Sequence, residues 1–197
     1  MKNNNIDDLR HIRSLMERSS KFLSLSGLSA IAAGSIALIG AAVAYYLLYE
    51  QEFSTIDIRI RLIILAMVIM GSAVSFGWYF SFRKAKKSGT KLWTPTARRT
   101  LYHFLIPLFT GGLFCIALII NNNTHLVSSA MLIFYGLSLV NSGKFTVDEI
   151  HYLGLGEILL GLLACFFLNH GLLFWTVGFG ILHIIFGIRM YYKYDRK

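Results

Sequence analysis

Six long runs of apolar residues constrain this chain more than any other feature of its sequence. A helix that crosses about 30 Å of hydrocarbon needs about 20 mostly apolar residues. Within each run the apolar residues are continuous, whereas the strands of a membrane barrel would alternate. The sequence therefore predicts an all-α integral membrane bundle of six transmembrane helices. The predicted spans are 27–48, 61–82, 101–120, 125–141, 151–168 and 171–190.

The composition excludes an ordinary soluble domain. Apolar residues make up 55% of the 197 residues and charged residues only 15%, against about 25% charged residues in soluble proteins. The net charge of +9 would suit nucleic acid, but the basic residues lie between the apolar runs, where membrane topology explains them. We expect no nucleic-acid partner. Neither Cys115 nor Cys165 belongs to a CxxC pair, so no metal or cofactor is expected.

The basic residues also predict an orientation. If the N-terminus is cytoplasmic, all of the 19 lysines and arginines except Arg59 and Arg61 fall on the inner side. Such a bias across short loops determines how a membrane protein inserts. We therefore expect a multi-pass protein of the bacterial inner (cytoplasmic) membrane, with the N-terminus and the C-terminus both cytoplasmic.

The two ends of the chain differ from the transmembrane domain, residues 27–190. In residues 1–26, apolar side chains recur at helical spacing after a possible cap at Asn5, which predicts an amphipathic cytoplasmic helix at the membrane surface. A simple extension of span one explains the same pattern equally well. Residues 191–197 are interpreted as a basic cytoplasmic tail.

The segment between spans two and three, RKAKKSGTKLWTPTARR, is the longest and most basic connection. Attraction to anionic lipids at the cytoplasmic face is the first interpretation, and binding of an acidic cytoplasmic protein is the second. Thr146 and Glu149 have the spacing of a capping box that would open span five. The basic patch consists of Arg83, Lys84, Lys86, Lys87, Lys91, Arg98 and Arg99.

Spans five and six share one pattern, in which glycines at offsets of −3 and +4 flank an ionisable residue. Small residues on one helical face let helices approach closely inside a membrane. Glu157 and His183 each lie 13 residues from the turn near His170, so both are expected at about the same depth, facing the bundle. The glycines of this pattern are Gly154 and Gly161 in span five and Gly180 and Gly187 in span six.

Two interpretations of Glu157 and His183 remain open. The pair could relay a proton, bind a cation or sense pH. Alternatively, a neutral or paired glutamate could tie spans five and six together, with a contribution of about 0.6 kcal/mol. Span one repeats the spacing without a charge, at Gly27 and Gly34, which predicts that spans one, five and six pack closely.

Span three contains Pro107 followed by Gly111 and Gly112. Proline removes one backbone hydrogen bond and crowds the preceding turn, so we expect a kink at this point. Discontinuous helices can line a binding site, although a single proline more often only bends a helix.

The stretch LGLGEILLGLLACFFLNHGLLFWTVGFGILHIIFGI, residues 153–188, resembles the repeated hairpin of HdeD-like membrane proteins, a family of six-span bacterial proteins. Longer stretches such as SGKFTVDEIHYLGLGEI resemble small uncharacterised bacterial six-span proteins. The HdeD-like resemblance implies a stress-linked membrane protein without a settled activity. Spans two to four lack the glycine pattern, and the basic connection is long, so the likeness is confined to the last hairpin.

Two functions follow as expectations. The first is a non-enzymatic membrane protein of sensory, regulatory or stress-response type with a buried Glu/His polar centre. The second is a small transporter or channel for protons, cations or a small solute, which would use Glu157 and His183 and would need a homo-oligomer. The sequence contains no HExxH, GxSxG or paired-aspartate signature of an intramembrane enzyme.

Overall fold

A computed structural model describes residues 25–49, 55–89 and 92–196. It is 90% helical, and no strand occurs in the described part of the chain. Six helices are long and apolar enough to cross a membrane, which confirms the predicted multi-pass helical protein. The predicted amphipathic helix, 1–26, lies outside the described residues except for its last two. The helices are α1 (Gly27–Tyr49), α2 (Thr55–Lys87), α3 (Pro95–Ile120), α4 (Val127–Gly143), α5 (Asp148–Phe166) and α6 (Leu168–Asp195).

The connection between α2 and α3 is shorter than the sequence suggested. Helix α2 continues through the basic residues to Lys87, because nothing breaks it before Gly89, which ends it with a positive φ of 62°. Helix α3 begins at Pro95, where the Ala97 amide donates a 3.1 Å hydrogen bond to the Thr94 hydroxyl. More than half of the predicted connection, residues 83–87 and 95–99, is therefore helical.

Helix α6 is continuous but changes its winding along its length. A short 3₁₀ turn, Leu168–His170, leads into the α-helical Gly171–Trp175, and a π-helical stretch follows at Thr176–Leu182. The α-helical His183–Met190 then gives way to a second π-helical turn, Tyr191–Asp195. The residues interpreted from the sequence as a basic tail therefore continue α6 as far as Asp195.

The helices pack unevenly. Helix α1 packs against α2 and α6, and α4 packs against α3 and α5, while α6 also contacts α5 and the beginning of α4. Helices α2 and α3 are the outermost: in their most apolar windows, 0% and 6% of the residues are buried inside the protein. Helices α1, α4, α5 and α6 thus form the core, and α2 and α3 flank it.

Two helix crossings in this core use glycine in the same way. A Cβ built on Gly34 of α1 would lie 2.7 Å from the Gly180 carbonyl oxygen and 3.1 Å from the Ile184 nitrogen of α6. A Cβ on Gly136 of α4 would lie 2.6 Å from the Gly154 carbonyl oxygen and 2.9 Å from the Ile158 nitrogen of α5. Backbones approach this closely only where both helices carry small residues.

The sequence predicted that the glycines of spans one, five and six pack against one another, and the structure shows this for only some of them. Gly27 and Gly187 meet between α1 and α6, as expected, but Gly154 and Gly161 of α5 face α4. The reason is that α4 carries its own small residues seven apart, Gly136 and Gly143, and both contact α5. Spacing alone had not singled out α4.

Pro107 does not interrupt α3, which runs as one helix from Pro95 to Ile120. Beside it, the Thr110 hydroxyl donates a 2.9 Å hydrogen bond to the Ile106 carbonyl. Gly111 is buried against Phe134 of α4, whereas a Cβ on Gly112 would meet nothing within 4 Å. The two glycines therefore differ: Gly111 contributes to packing, and Gly112 faces outward.

Candidate functional site

Glu157 lies in the middle of α5, and its side chain is completely buried, with 0% exposure. Its carboxylate approaches α6 at Gly178, where a built Cβ would lie 2.5 Å from Oε2 and equally close to Leu132 of α4. Neither carboxylate oxygen has a hydrogen-bond partner among the described residues. Such a group is costly inside a membrane when it is ionised, so Glu157 is the most unusual side chain in the core.

His183 lies where the π-helical stretch of α6 returns to α-helix, and it is buried as well. Its Nδ1 is 3.1 Å from the Gly178 carbonyl oxygen. A carbonyl oxygen can only accept a hydrogen bond, so Nδ1 carries a hydrogen and donates it. The π-helical winding brings this carbonyl, five residues back along the chain, within reach of the ring, and π-helical turns are frequent at functional sites.

Tyr135 of α4 completes the centre from the other side of the imidazole. Its hydroxyl oxygen is 2.9 Å from Nε2 of His183. The Tyr135 ring packs edge-on against Phe104 of α3, with centroids 5.9 Å apart. It also packs at a tilt against Phe179 of α6, with centroids 4.9 Å apart. Tyr135 remains partly exposed, whereas the other two members of the centre are buried.

The contact between Glu157 and His183 is close but poorly directed. Nδ1 lies 3.3 Å from Oε1, which is ion-pair distance, yet Oε1 is not hydrogen-bonded, because the Nδ1 hydrogen points to the Gly178 carbonyl. The arrangement accommodates two proton distributions. In one, a neutral glutamate faces a neutral imidazole that accepts from Tyr135; in the other, a carboxylate faces an imidazolium that donates to Tyr135.

The chemistry available at this centre is proton exchange. Carboxyl and imidazole groups both bind protons reversibly, and the tyrosine hydroxyl can donate to or accept from the imidazole. In the part of the chain that the structure describes, no group of three or more His, Cys, Asp or Glu side chains could hold a metal ion. The ionisable groups in contact here are Glu157 from α5, His183 from α6 and Tyr135 from α4.

A second polar cluster lies at the end of the bundle where α1 begins, which we call the basic end. Asp195, in the last turn of α6, accepts hydrogen bonds from the Gly27 amide at 2.8 Å and from the Ser26 hydroxyl at 2.9 Å. Lys84 of α2 places Nζ 2.7 Å from the same carboxylate and also donates to the Leu25 carbonyl. The end of α6 therefore caps the beginning of α1 and holds the end of α2.

Glu149, in the first turn of α5, joins the same end of α6. It accepts hydrogen bonds from Lys193 at 2.7 Å and from the Tyr194 hydroxyl at 2.9 Å. Glu149 is buried, and both of its carboxylate oxygens accept hydrogen bonds from side chains of α6. The residue at the cap position of α5 is Val147, which makes no side-chain capping bond.

The predicted basic patch is divided in the structure. Lys84 turns inward to Asp195, and Lys91 lies outside the described residues. The remaining five residues are exposed at the end of α2 and in the first turns of α3, and together we call them the exposed basic patch. They are Arg83, Lys86, Lys87, Arg98 and Arg99.

The sequence did not single out several residues of these two clusters, among them Tyr135, Gly178 and Asp195. Tyr135 is one of 10 tyrosines and carries no local signal. Gly178 lies just outside the glycine pattern centred on His183, and its position against Glu157 depends on the π-helical winding. Asp195 did offer a signal, because an isolated acid within a basic tail invites the question of what it pairs with.

Comparisons with protein-family models, with curated proteins and with solved structures found no match for this chain.

Proposed function

We propose that this chain is a non-enzymatic multi-pass membrane protein of sensory or regulatory type, and that its signal is protonation of the centre formed by Glu157, His183 and Tyr135. The observation that carries the proposal is Glu157, which has 0% exposure and no hydrogen-bond partner for either oxygen. A carboxylate without a hydrogen bond in a membrane core is retained at a cost in stability, and such residues usually serve function.

The polar centre is open to its surroundings on one side only, which fits a proton sensor better than a channel for protons. Tyr135 is partly exposed, His183 is buried behind it, and Glu157 lies deepest, closed off by Leu132 and Gly178. A proton that passes along this line reaches a closed end. Proton binding with a change in packing fits such a site, because one added proton changes its net charge: a carboxylate beside a neutral imidazole is negative, whereas both proton distributions described above are neutral overall.

The response would be read at the basic end. The end of α6 holds α1, α2 and α5 through Asp195 and Glu149, and it begins two turns after His183. We place this end in the cytoplasm of a bacterium, with the protein in the inner membrane, and the predicted amphipathic helix 1–26 beside it. The stress-response role implied by the HdeD-like resemblance remains a prediction.

The chain contains a natural reporter for testing the proposal. The Trp175 ring lies 5.1 Å from Phe179, which lies 6.0 Å from His183. With the exposed Trp78 and Trp93 replaced by phenylalanine, the fluorescence of Trp175 in nanodiscs should change reversibly when the pH is varied. The variant Glu157→Gln should lose this change, because it keeps the shape of the side chain but cannot exchange a proton.

Replacement of His170 provides the control, since this exposed histidine lies near Trp175 but outside the centre. The variant His170→Gln should keep the pH response. If Glu157→Gln responds to pH as the parent does, Glu157 is not the group whose protonation is sensed and the proposal fails.

The second candidate is an oligomeric transporter or channel for protons or cations. It is favoured by one observation, the unbroken contact from Tyr135 through His183 to Glu157. Proteoliposomes with an internal pH dye distinguish the two candidates. A proton flux that Glu157→Gln abolishes would establish transport, whereas a pH response of Trp175 without flux would establish the sensor.

A further inference from the structure

Helices α2 and α3 are held together at both ends but do not pack along their length. At the basic end, the short connection 88–94 joins them. At the opposite end, Nη1 of Arg59 donates a 3.0 Å hydrogen bond to Oδ1 of Asn122. Between these points α2 packs on α1 and α3 packs on α4. The two helices therefore border a lateral groove that faces the membrane, which we call the α2–α3 groove.

The helices behind this groove supply apolar side chains near the basic end. Phe104 of α3, Tyr135 of α4 and Phe186 of α6 are partly buried and pack against the core around Met190. Each of them keeps some exposed surface. Because this surface is aromatic and lies within the apolar part of the bundle, it suits hydrocarbon chains better than water.

The groove ends at the exposed basic patch. Among the described residues, three acids lie at this end of the bundle. Glu149 and Asp195 are already paired with Lys193 and Lys84, and Asp148 is exposed in the first turn of α5, so the acids here are fewer than the basic residues. Trp93, in the connection between the two helices, is 58% exposed, and tryptophan is enriched at the level of lipid headgroups. Cationic side chains and an interfacial aromatic ring thus lie at one mouth of an apolar groove.

We infer that the α2–α3 groove binds one acidic phospholipid from the surrounding bilayer. Its phosphate headgroup would lie at the exposed basic patch, and its acyl chains would follow the groove towards the opposite end. This inference goes beyond the proposed function and shares with it only Tyr135, whose hydroxyl contacts His183 while its ring borders the groove.

Charge selects the lipid over a second copy of the chain. A copy related by an axis along the membrane normal would bring an identical basic patch to the same level, and like charges repel. Residues 1–24 are also net positive in sequence, with five basic and three acidic residues, so they complement the patch less well than an anion does. An anionic headgroup offsets part of the positive charge of the patch, with a gain of about fivefold in affinity for each basic residue near it.

Native mass spectrometry of the full chain tests the inference directly. The protein would be released from nanodiscs that contain equal amounts of phosphatidylglycerol and phosphatidylcholine. We expect one retained phosphatidylglycerol and little phosphatidylcholine. The variant Arg98→Gln/Arg99→Gln should retain about 25-fold less phosphatidylglycerol.

The matched control is Lys144→Gln/Arg196→Gln, which removes two exposed charges from the same end but not from the groove, and it should retain the lipid as the parent does. Equal retention of both lipids, or equal loss in the two variants, would show only general attraction to anions and would overturn the inference. A dimer without bound lipid would overturn it as well, in favour of a second copy.

The place of the lipid can be checked with Trp93. With Trp78 and Trp175 replaced by phenylalanine, phosphatidylglycerol that carries bromine on its acyl chains should quench Trp93 more strongly than brominated phosphatidylcholine at the same mole fraction. Equal quenching would place the bound lipid away from the connection and contradict the groove.

Discussion

The backbone of α6 at Gly178 touches the carboxylate of Glu157: a Cβ built on this glycine would lie 2.5 Å from Oε2. The same Cβ would lie 2.5 Å from Cδ2 of Leu132, so both α4 and α5 close on this point. Three helices therefore meet where the acid is buried, and glycine is the residue that leaves room for it.

Replacement of Gly178 by alanine should accordingly lower the free energy of unfolding by about 1–3 kcal/mol, because an added methyl group overpacks a filled site. Steric trapping in bilayers would measure the change. Gly112→Ala is the control, since a Cβ there meets nothing within 4 Å, and it should leave the stability unchanged or slightly higher. Equal stabilities of the two variants would contradict the close contact at Gly178.

The two glycine crossings should respond alike to substitution. Gly34→Ala and Gly136→Ala each place a methyl group less than 3 Å from a carbonyl oxygen of the facing helix, so each should cost about 1–3 kcal/mol. Gly77 of α2 has open space around its Cβ position, and Gly77→Ala should stabilise by up to about 1 kcal/mol through helix propensity. A neutral Gly136→Ala would show that α4 and α5 are farther apart than described.

Asp195 should contribute more to the stability of the protein than its place near the end of the given sequence suggests. Asp195→Ala removes the acceptor for the Gly27 amide and the Ser26 hydroxyl and also the partner of Lys84. We expect a loss of about 1–3 kcal/mol. Asp195→Asn should lose less, because its amide oxygen still accepts from the Gly27 amide. Thermal unfolding of the two variants in the same detergent would rank them, and wild-type stability of Asp195→Ala would refute the cap.

Tyr135→Phe should change the state of His183 without unfolding the protein. The variant leaves Nε2 without its hydroxyl partner, at a cost of about 1 kcal/mol. The ¹⁵N resonance of Nε2, assigned with His183→Asn, should move. Tyr152→Phe, an exposed tyrosine of α5, should leave this resonance in place. An unchanged resonance in Tyr135→Phe would separate Tyr135 from the centre.

The number of helices and their apolar parts were predictable because they depend on local sequence. A segment in hydrocarbon must satisfy its own backbone hydrogen bonds, so a long apolar run becomes a helix whatever its neighbours are. For the same reason, hydropathy did not predict the polar parts of helices that extend beyond the membrane. Hydropathy marks the part of α2 inside the membrane, but the helix continues to Lys87, where its end is held by the pairing of Lys84 with Asp195.

The candidate centre was predictable in part. The glycine pattern indicated that Glu157 and His183 face the bundle at similar depth, and the structure brings them to 3.3 Å. The glycine pattern could not indicate Tyr135, because this residue belongs to α4, whose apolar run contains no charged residue. Nor could it indicate that α5 meets α4, since the partner of a small-residue face depends on which helix offers a complementary one.

The sequence by itself determined that this protein is a bundle of membrane-crossing helices with an acid and an imidazole buried among glycines. Only the tertiary structure decided which helices pair, how the end of α6 holds α1, α2 and α5, and which side chains surround the acid. The physical reason is that insertion of an apolar helix into a membrane depends on consecutive residues. A contact such as that of Gly178 with Glu157 depends instead on how helices that are distant in sequence pack together.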